Sequence, residues 1–184
     1  MTPILDGRTL MRWLVAAIVA VHLAVAGGMA LAATEGTAGS TPPLAAVPGE
    51  KAPEFQLNDI NGKQVQLSAL KSEHPVLVYF WATWCPYCIQ VKPKVAELHT
   101  AIPESSLGIV SINVGGGDSL ERLKKYQEKN PAPYPVLYDG DGKVTRAYKV
   151  QGIPMFYLID KSGDVLYKGN TLPTVEDLKK MIGQ

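Results

Sequence analysis

The sequence predicts an α/β domain in which a mixed sheet is flanked by helices on both faces. Two near-continuous apolar runs, residues 76–81 and 107–114, are typical of central strands that are covered on both sides. The first run is followed by residues 86–100, whose apolar side chains recur at helical spacing, and the second by a helix predicted over 120–129. Strands and helices in this order give a mixed sheet with helices on both faces.

The predicted elements follow the order β-β-β-α-β-α-β-(α)-β-β-α. Residues that alternate on either side of Asn61–Gly62 predict an N-terminal β-hairpin, because Asn-Gly is the strongest short hairpin signal. Asp118 or Ser119 can cap the second helix, and Thr174 can cap the last one. The predicted ranges are 55–67 for the hairpin, 76–81, 107–114, 134–138, 155–160 and 165–168 for the strands, and 86–100, 120–129, 144–148 and 174–182 for the helices.

The chain divides into an export segment, a tether and one folded domain. Arg8 and Arg12 precede a long uncharged apolar stretch, so residues 1–33 are predicted to be a signal peptide or a membrane anchor. Small residues at the end of this segment favour cleavage, and both alternatives place the domain outside the cytoplasm. Residues 34–52, rich in Thr, Gly, Ser, Pro and Ala, predict a flexible linker, and residues 53–184 form the domain.

Composition excludes one class of partner. The net charge of the 184-residue chain is +1, which gives no electrostatic reason to bind nucleic acid. About 130 folded residues can bury an ordinary core without a covalent crosslink. The only pair of cysteines is therefore not needed chiefly as a stabiliser.

Cys85 and Cys88 are the only two cysteines and directly follow a buried strand. A Cys-x-x-Cys pair at a strand-to-helix junction predicts a redox site. Cys85 begins the helix, where the positive end of the dipole favours a thiolate, so it is the predicted nucleophile. Cys88, one turn further on, would resolve the mixed disulfide. A metal site is not expected, because the only histidines, His22, His74 and His99, do not complete a ligand set.

Two further segments are predicted to bind substrate. Trp84, Pro86 and Tyr87 flank the cysteines, and Trp84 is expected to form a partly exposed aromatic wall. Ile153–Pro154 opens a buried strand, where a proline is unusual. A cis bond there would turn the backbone of Ile153 toward the nucleophile, whereas an ordinary trans proline is the alternative.

Four side chains near these segments are given structural roles. Trp81 is expected in the core, and Met155 is expected to pack near the active site. Lys92 and Lys94 are expected on a solvated face of the helix.

The motifs together resemble the thioredoxin-like superfamily and, within it, the TlpA/ResA/CcmG group of extracytoplasmic thiol–disulfide oxidoreductases. The resemblance covers about residues 48–184 and implies that Cys85 attacks, Cys88 resolves and Pro154 is cis. It also implies an insertion at about residues 115–138. The matching pieces are residues 80–88, Pro93, residues 134–139 and residues 148–160.

The sequence departs from this group at the positions that handle protons. Tyr79 stands where thioredoxin has a buried Asp, and Val91 stands where some relatives have a Glu. The remaining carboxylates, Glu54, Glu73 and Glu97, are remote candidates. The Pro-Tyr pair between the cysteines resembles glutaredoxin, so the direction of electron flow stays open.

The resemblance and the export segment together imply a periplasmic or otherwise extracytoplasmic oxidoreductase, secreted or anchored to the inner membrane. Its expected action is to reduce disulfides of partner proteins, as in cytochrome c maturation, with electrons from a membrane donor. No cofactor is expected, because the sequence has no haem- or nucleotide-binding motif. The alternatives are a thiol oxidase or isomerase that donates disulfides and a copper-binding assembly chaperone. The two-residue cysteine spacing and the lack of a histidine after His99 disfavour the chaperone.

Overall fold

A computed structural model describes residues 49–183 of the chain. The predicted export segment and residues 34–48 of the predicted linker lie outside the described residues. Residues 50–52, assigned to the linker from sequence, lie against the domain. The Ala52 amide donates to the carbonyl of Gly163 at 2.9 Å, and the Val165 amide donates to that of Glu50 at 2.9 Å. Between residues 49 and 183, no helix is both long and apolar enough to cross a membrane.

Between residues 49 and 183 the structure contains seven strands and five α-helices. The strands are β1 (Gln56–Asn58), β2 (Gln64–Gln66), β3 (Val76–Trp81), β4 (Gly108–Asn113), β5 (Val136–Tyr138), β6 (Met155–Ile159) and β7 (Val165–Gly169). The helices are α1 (Leu67–Glu73), α2 (Pro86–Ala101), α3 (Leu120–Lys129), α4 (Lys143–Ala147) and α5 (Val175–Met181).

The five strands β3 to β7 form one mixed sheet in the order β5-β4-β3-β6-β7. β3 pairs in parallel with β4 and antiparallel with β6, while β1 and β2 form a separate hairpin. Every residue of β3 and β4 is buried, which confirms that both apolar runs are central strands. The predicted fold class, hairpin and mixed sheet are therefore confirmed.

Helix α1 is the element that the sequence did not predict. Val65 and Leu67 continue the alternation of the hairpin, so the last of these residues was assigned to a strand. In the structure Leu67 begins α1 instead, and this residue and Leu70 are apolar positions three apart on the helix. A helix of seven residues carries too few apolar positions to show a clear helical period.

Helices cover both faces of the sheet. One core contains apolar side chains of α2, α3 and α5, among them Val95, Leu123 and Leu178. The other core contains the hairpin, α1 and α4, with Phe55 and Val144 among its buried residues. Since β3 and β4 are parallel and β6 runs the opposite way, the ends of β3 and β4 meet the start of β6 at one edge. The candidate site lies at this edge.

Candidate active site

Cys85 and Cys88 form a disulfide at the N-terminus of α2, with their Cα atoms 5.2 Å apart. Cys85 is the N-cap residue in an extended conformation, and its Sγ accepts a hydrogen bond from the amide of Cys88 at 3.2 Å. Pro86 is the first helical residue, a position where its missing N–H costs no helical hydrogen bond. Cys88 is completely buried and Cys85 is 4% exposed, so Cys85 is the less buried of the two cysteines.

The Ile153–Pro154 peptide bond is cis, which confirms what the family resemblance implied. The carbonyl oxygen of Ile153 lies 3.8 Å from the Sγ of Cys85. This proximity follows from the sheet, because Phe80 near the end of β3 pairs with Met155 at the start of β6. The two motifs that were predicted to meet, 68 residues apart in sequence, therefore lie side by side.

The aromatic residues around the disulfide differ in exposure. Trp84 is 52% exposed and Tyr87 is 72% exposed, as expected for side chains that contact a partner, while Trp81 is completely buried. Tyr87 also lines an open groove beside α2, together with Pro154 and the half-buried Met155. Pro86 is exposed at the start of the helix.

Asp118 holds the loop that precedes Cys85, a role that sequence reasoning missed. One carboxylate oxygen accepts the Thr83 amide at 2.8 Å and the Asn113 side-chain amide at 2.7 Å. The other accepts the Thr83 hydroxyl at 2.5 Å. The sequence offered Asp118 or Ser119 as a helix cap, and Ser119 is the cap of α3. An aspartate directly before a capping serine was the only sequence signal, and it does not indicate a contact 35 residues away.

The loop after β4 also positions Trp84. The indole Nε1–H of Trp84 donates to the carbonyl oxygen of Gly116 at 2.7 Å. The next residue, Gly117, has a φ of +76°, and a Cβ there would lie 2.9 Å from Nε1 of the indole. Only a glycine permits this close approach. The first part of the predicted insertion therefore supports the active-site loop.

Tyr79, which stands where thioredoxin has a buried Asp that handles protons, is completely buried. Its hydroxyl donates to the carbonyl oxygen of Cys88 at 2.9 Å, and its ring stacks on Phe156 at a centroid distance of 4.9 Å. Burial raises the pKa of Tyr79 far above its ordinary value. The phenol therefore stays neutral and supports the helix backbone.

The three carboxylates named as remote proton carriers, Glu54, Glu73 and Glu97, lie in different parts of the domain. Glu97 lines the groove beside α2. Glu54 is paired with Lys71 at 3.3 Å, and Glu73 is exposed at the end of α1, which covers the opposite face of the sheet. Only Glu97 is thus on the same side of the sheet as the disulfide. Within residues 49–183, no three His, Cys, Asp or Glu side chains are arranged to hold a metal ion.

Lys92 lies in the core, which contradicts the expected solvated position. Its side chain is held between α2, α3 and β3, and the residue is 7% exposed. Nζ donates to Oε1 of Gln127 at 3.2 Å and to the carbonyl oxygen of Asn130. It also lies over the rings of Trp81, at 5.3 Å, and Tyr126, at 4.8 Å. Burial lowers the pKa of Lys92 to about 8.

Helix geometry explains why Lys92 is buried and Lys94 is not. Lys92 is four residues after Cys88 and three before Val95, so all three lie in the buried stripe of α2. Lys94 falls outside this stripe and is exposed, as expected. The sequence prediction placed Lys92 at the surface because lysine is charged, although its spacing from Cys88 and Val95 indicates the buried face of the helix.

Comparisons with known proteins agree with this geometry. The AhpC/TSA family matches residues 48–168. The chain is 31% identical over 132 residues to the thiol–disulfide oxidoreductase ResA of Geobacillus kaustophilus, covering 72% of this chain and 74% of that protein. It is 35% identical over 118 residues to ResA of Bacillus subtilis, covering 64% of each chain.

Solved structures show the same fold. A Chlorobium tepidum protein described as a thiol:disulfide interchange protein DsbE superposes with a TM-score of 0.63 at 30% identity, covering 76% of this chain and 96% of that chain. StoA of Bacillus subtilis superposes with a TM-score of 0.61 at 21% identity, covering 71% and 96%, which supports the fold alone. The matched residues include the disulfide and the cis proline described above. The chain therefore belongs to the AhpC/TSA family, with a thioredoxin-like fold, and is a thiol–disulfide oxidoreductase of the ResA and DsbE type.

Proposed function

We propose that this protein reduces disulfides of partner proteins outside the cytoplasm through a dithiol–disulfide cycle of Cys85 and Cys88. The observation that supports this most is the unequal position of the two cysteines. Cys88 is completely buried, whereas Cys85 is 4% exposed, caps the helix and lies with its Sγ 3.8 Å from the Ile153 carbonyl oxygen. Cys85 is therefore the cysteine that a partner would reach.

In the first step the Cys85 thiolate attacks one sulfur of a partner disulfide. A Cys85–partner disulfide forms, the partner's S–S bond breaks, and the second partner sulfur leaves as a thiolate that takes up a proton. The amide of Cys88 and the N-terminus of α2 favour the attacking thiolate. The exposed rings of Trp84 and Tyr87, with Pro86, would contact the partner beside its disulfide. The Ile153–Pro154 segment would pair with its backbone.

In the second step Cys88 loses its proton and attacks the Sγ of Cys85. The Cys85–partner bond breaks, the Cys85–Cys88 disulfide forms, and the partner leaves with two thiols and two more electrons. The Cα atoms of the two cysteines are 5.2 Å apart across one helical turn, so this backbone already accommodates the Cys85–Cys88 disulfide that the step forms. A membrane donor of reducing equivalents would then restore the dithiol.

Trapping tests the assignment of roles. In the full chain, Cys88→Ser blocks resolution, so partners should accumulate as mixed disulfides with Cys85. Proteins captured in the native compartment are identified after non-reducing separation, with Cys85→Ser as the matched control. Capture by Cys88→Ser alone, including thiol-rich cytochrome precursors, is the expected result. Equal capture by both variants would contradict the proposed roles.

The reduction potential tests the direction of electron flow. A potential close to that of thioredoxin-type reductants supports reduction of partners. A potential far above it, together with capture of many unrelated secreted proteins, would instead assign the disulfide-donating role. Extracytoplasmic location is tested by fractionating cells and sequencing the N-terminus of the mature chain, which also distinguishes cleavage from anchoring.

A further inference from the structure

A buried ammonium group lies in the helix that carries both cysteines. Lys92 follows Cys88 by four residues, and residues at this spacing lie on the same face of a helix. Trp81 connects the two, because it packs in the same apolar core as Cys85 and Cys88 while its ring faces Nζ of Lys92 at 5.3 Å. The amine and the redox pair thus share one desolvated region.

The surroundings of Lys92 are built to hold a positive charge. Two oxygens accept hydrogen bonds from Nζ, the side-chain oxygen of Gln127 and the main-chain oxygen of Asn130. Two aromatic faces, those of Trp81 and Tyr126, complete the cage and attract a cation through their ring quadrupoles. All of these groups are neutral, so the cage solvates the charge without cancelling it.

No carboxylate compensates this charge in the part of the chain that the structure describes. None of the ion pairs among residues 49–183 includes Lys92. The acidic residues of the facing helix α3, Glu121 and Glu128, are exposed, and Glu121 is paired with Lys125. His99, further along α2, lies beside Tyr134 with the two ring planes tilted by 49°. The phenols near the cage are kept neutral because burial raises the pKa of each: Tyr79, Tyr126 and Tyr134.

We propose that Lys92 is a positioning residue that acts electrostatically on the redox pair, its buried charge stabilising the reduced site over the disulfide. The disulfide is neutral. Its reduction by two electrons and one proton gives a Cys85 thiolate and a Cys88 thiol, so the site gains one negative charge. A nearby cation stabilises this product. The inference rests on the proposed cycle of Cys85 and Cys88.

The size of the effect follows from Coulomb's law. Lys92 follows Cys85 by seven residues, which corresponds to about 10 Å along a helix axis. At an effective dielectric constant of about 20, opposite unit charges at about this separation interact by roughly one pKa unit. Since burial lowers the pKa of Lys92 to about 8, most molecules carry the charge at neutral pH and lose it in alkaline solution. The effect on the dithiol should therefore fade above about pH 8.

Lys92→Met in the full chain removes the charge and keeps a side chain of similar length. We expect the pKa of the Cys85 thiol, followed by ultraviolet absorbance of the thiolate, to rise by about one unit. The equilibrium constant with glutathione at neutral pH should shift five- to tenfold toward the disulfide, equivalent to about 20–30 mV. Lys94→Met, the same change at an exposed site of the same helix, should leave both quantities unchanged.

Unchanged values in Lys92→Met, or equal shifts in Lys94→Met, would overturn the role of Lys92. A wild-type chain that reaches no dithiol–disulfide equilibrium with glutathione would overturn the cycle itself, and this outcome is visible before any variant is made.

A measurement on the wild-type chain covers the case in which Lys92→Met does not fold. Coupling between two sites is reciprocal, so a Cys85 thiolate must raise the pKa of Lys92 by the same amount. Titration of the ¹³C-labelled lysine side chains by NMR should give a Lys92 pKa about one unit higher in the reduced protein than in the oxidised protein. Equal pKa values in the two forms would overturn the proposal.

Discussion

Asp118→Ala should weaken the domain by removing the group that holds the active-site loop. The carboxylate accepts three hydrogen bonds, at 2.8 and 2.5 Å from Thr83 and at 2.7 Å from Asn113. Its side chain is fully buried, so truncation leaves three donors without this acceptor. At about 1–1.5 kcal/mol for each, the free energy of unfolding should fall by about 3–5 kcal/mol.

Asp118→Asn separates the charge from the hydrogen bonds. The amide oxygen can accept from the Thr83 amide and from Asn113, while the amide NH₂ donates to the Thr83 hydroxyl, which rotates to accept. All three contacts survive and only the charge is lost. The free energy of unfolding should therefore fall by about 1–2 kcal/mol, clearly less than in Asp118→Ala.

Urea unfolding of the oxidised full chain, followed by tryptophan fluorescence, measures both changes. Glu128→Ala is the control, because this carboxylate is exposed, forms no ion pair among residues 49–183 and should change stability by no more than about 0.5 kcal/mol. A loss below about 1 kcal/mol in Asp118→Ala would refute the structural role of the carboxylate. Equal losses in Asp118→Ala and Asp118→Asn would refute the assignment of the cost to hydrogen bonds.

Three further predictions concern other parts of the domain. Tyr79→Phe removes the donor to the Cys88 carbonyl and should cost about 1 kcal/mol in urea unfolding without altering the thiol titration, whereas an altered titration would make the phenol a proton carrier. Thr174→Ala breaks the capping box with Asp177 and should also cost about 1 kcal/mol, and an unchanged urea midpoint would contradict it. Because folding lowers the pKa of Lys92 from 10.5 to about 8, the unfolded chain binds more protons between these values. The stability of the oxidised wild type should therefore rise across this range by up to about 3 kcal/mol relative to Lys92→Met, and parallel profiles would contradict the buried charge.

Local patterns predicted most of the fold. The apolar runs that became β3 and β4 are explained by burial on both faces, and Thr174 caps the last helix as predicted, although its capping box with Asp177 was not predicted. Helix α1 was not predicted because its stability depends on packing. Leu67 is completely buried in the core that also contains the hairpin and α4. A helix of this length has no strong signal of its own.

The site was predicted where its chemistry is local and missed where it depends on tertiary contacts. The spacing of the two cysteines predicted the redox site, and the family resemblance implied the cis proline. Asp118 and Lys92 act through residues 35 to 38 positions away, and neither their type nor their neighbours in sequence indicate this. The position of Lys92 between Cys88 and Val95 on one helix face does indicate burial. A buried charge needs polar or aromatic partners, so a cage around Lys92 could have been predicted.

If the protein is a reductase as proposed, the charges beneath the disulfide bear on which partner disulfides it can reduce. A buried carboxylate at the position of Tyr79 would repel a nearby thiolate, whereas a neutral phenol does not and a cation such as Lys92 attracts it. Both differences favour the reduced form and so raise the reduction potential. Structural disulfides of secreted proteins have potentials below about −300 mV, while strained or exposed disulfides have higher ones. A reductase with this arrangement would therefore act on exposed, labile disulfides and leave structural disulfides intact.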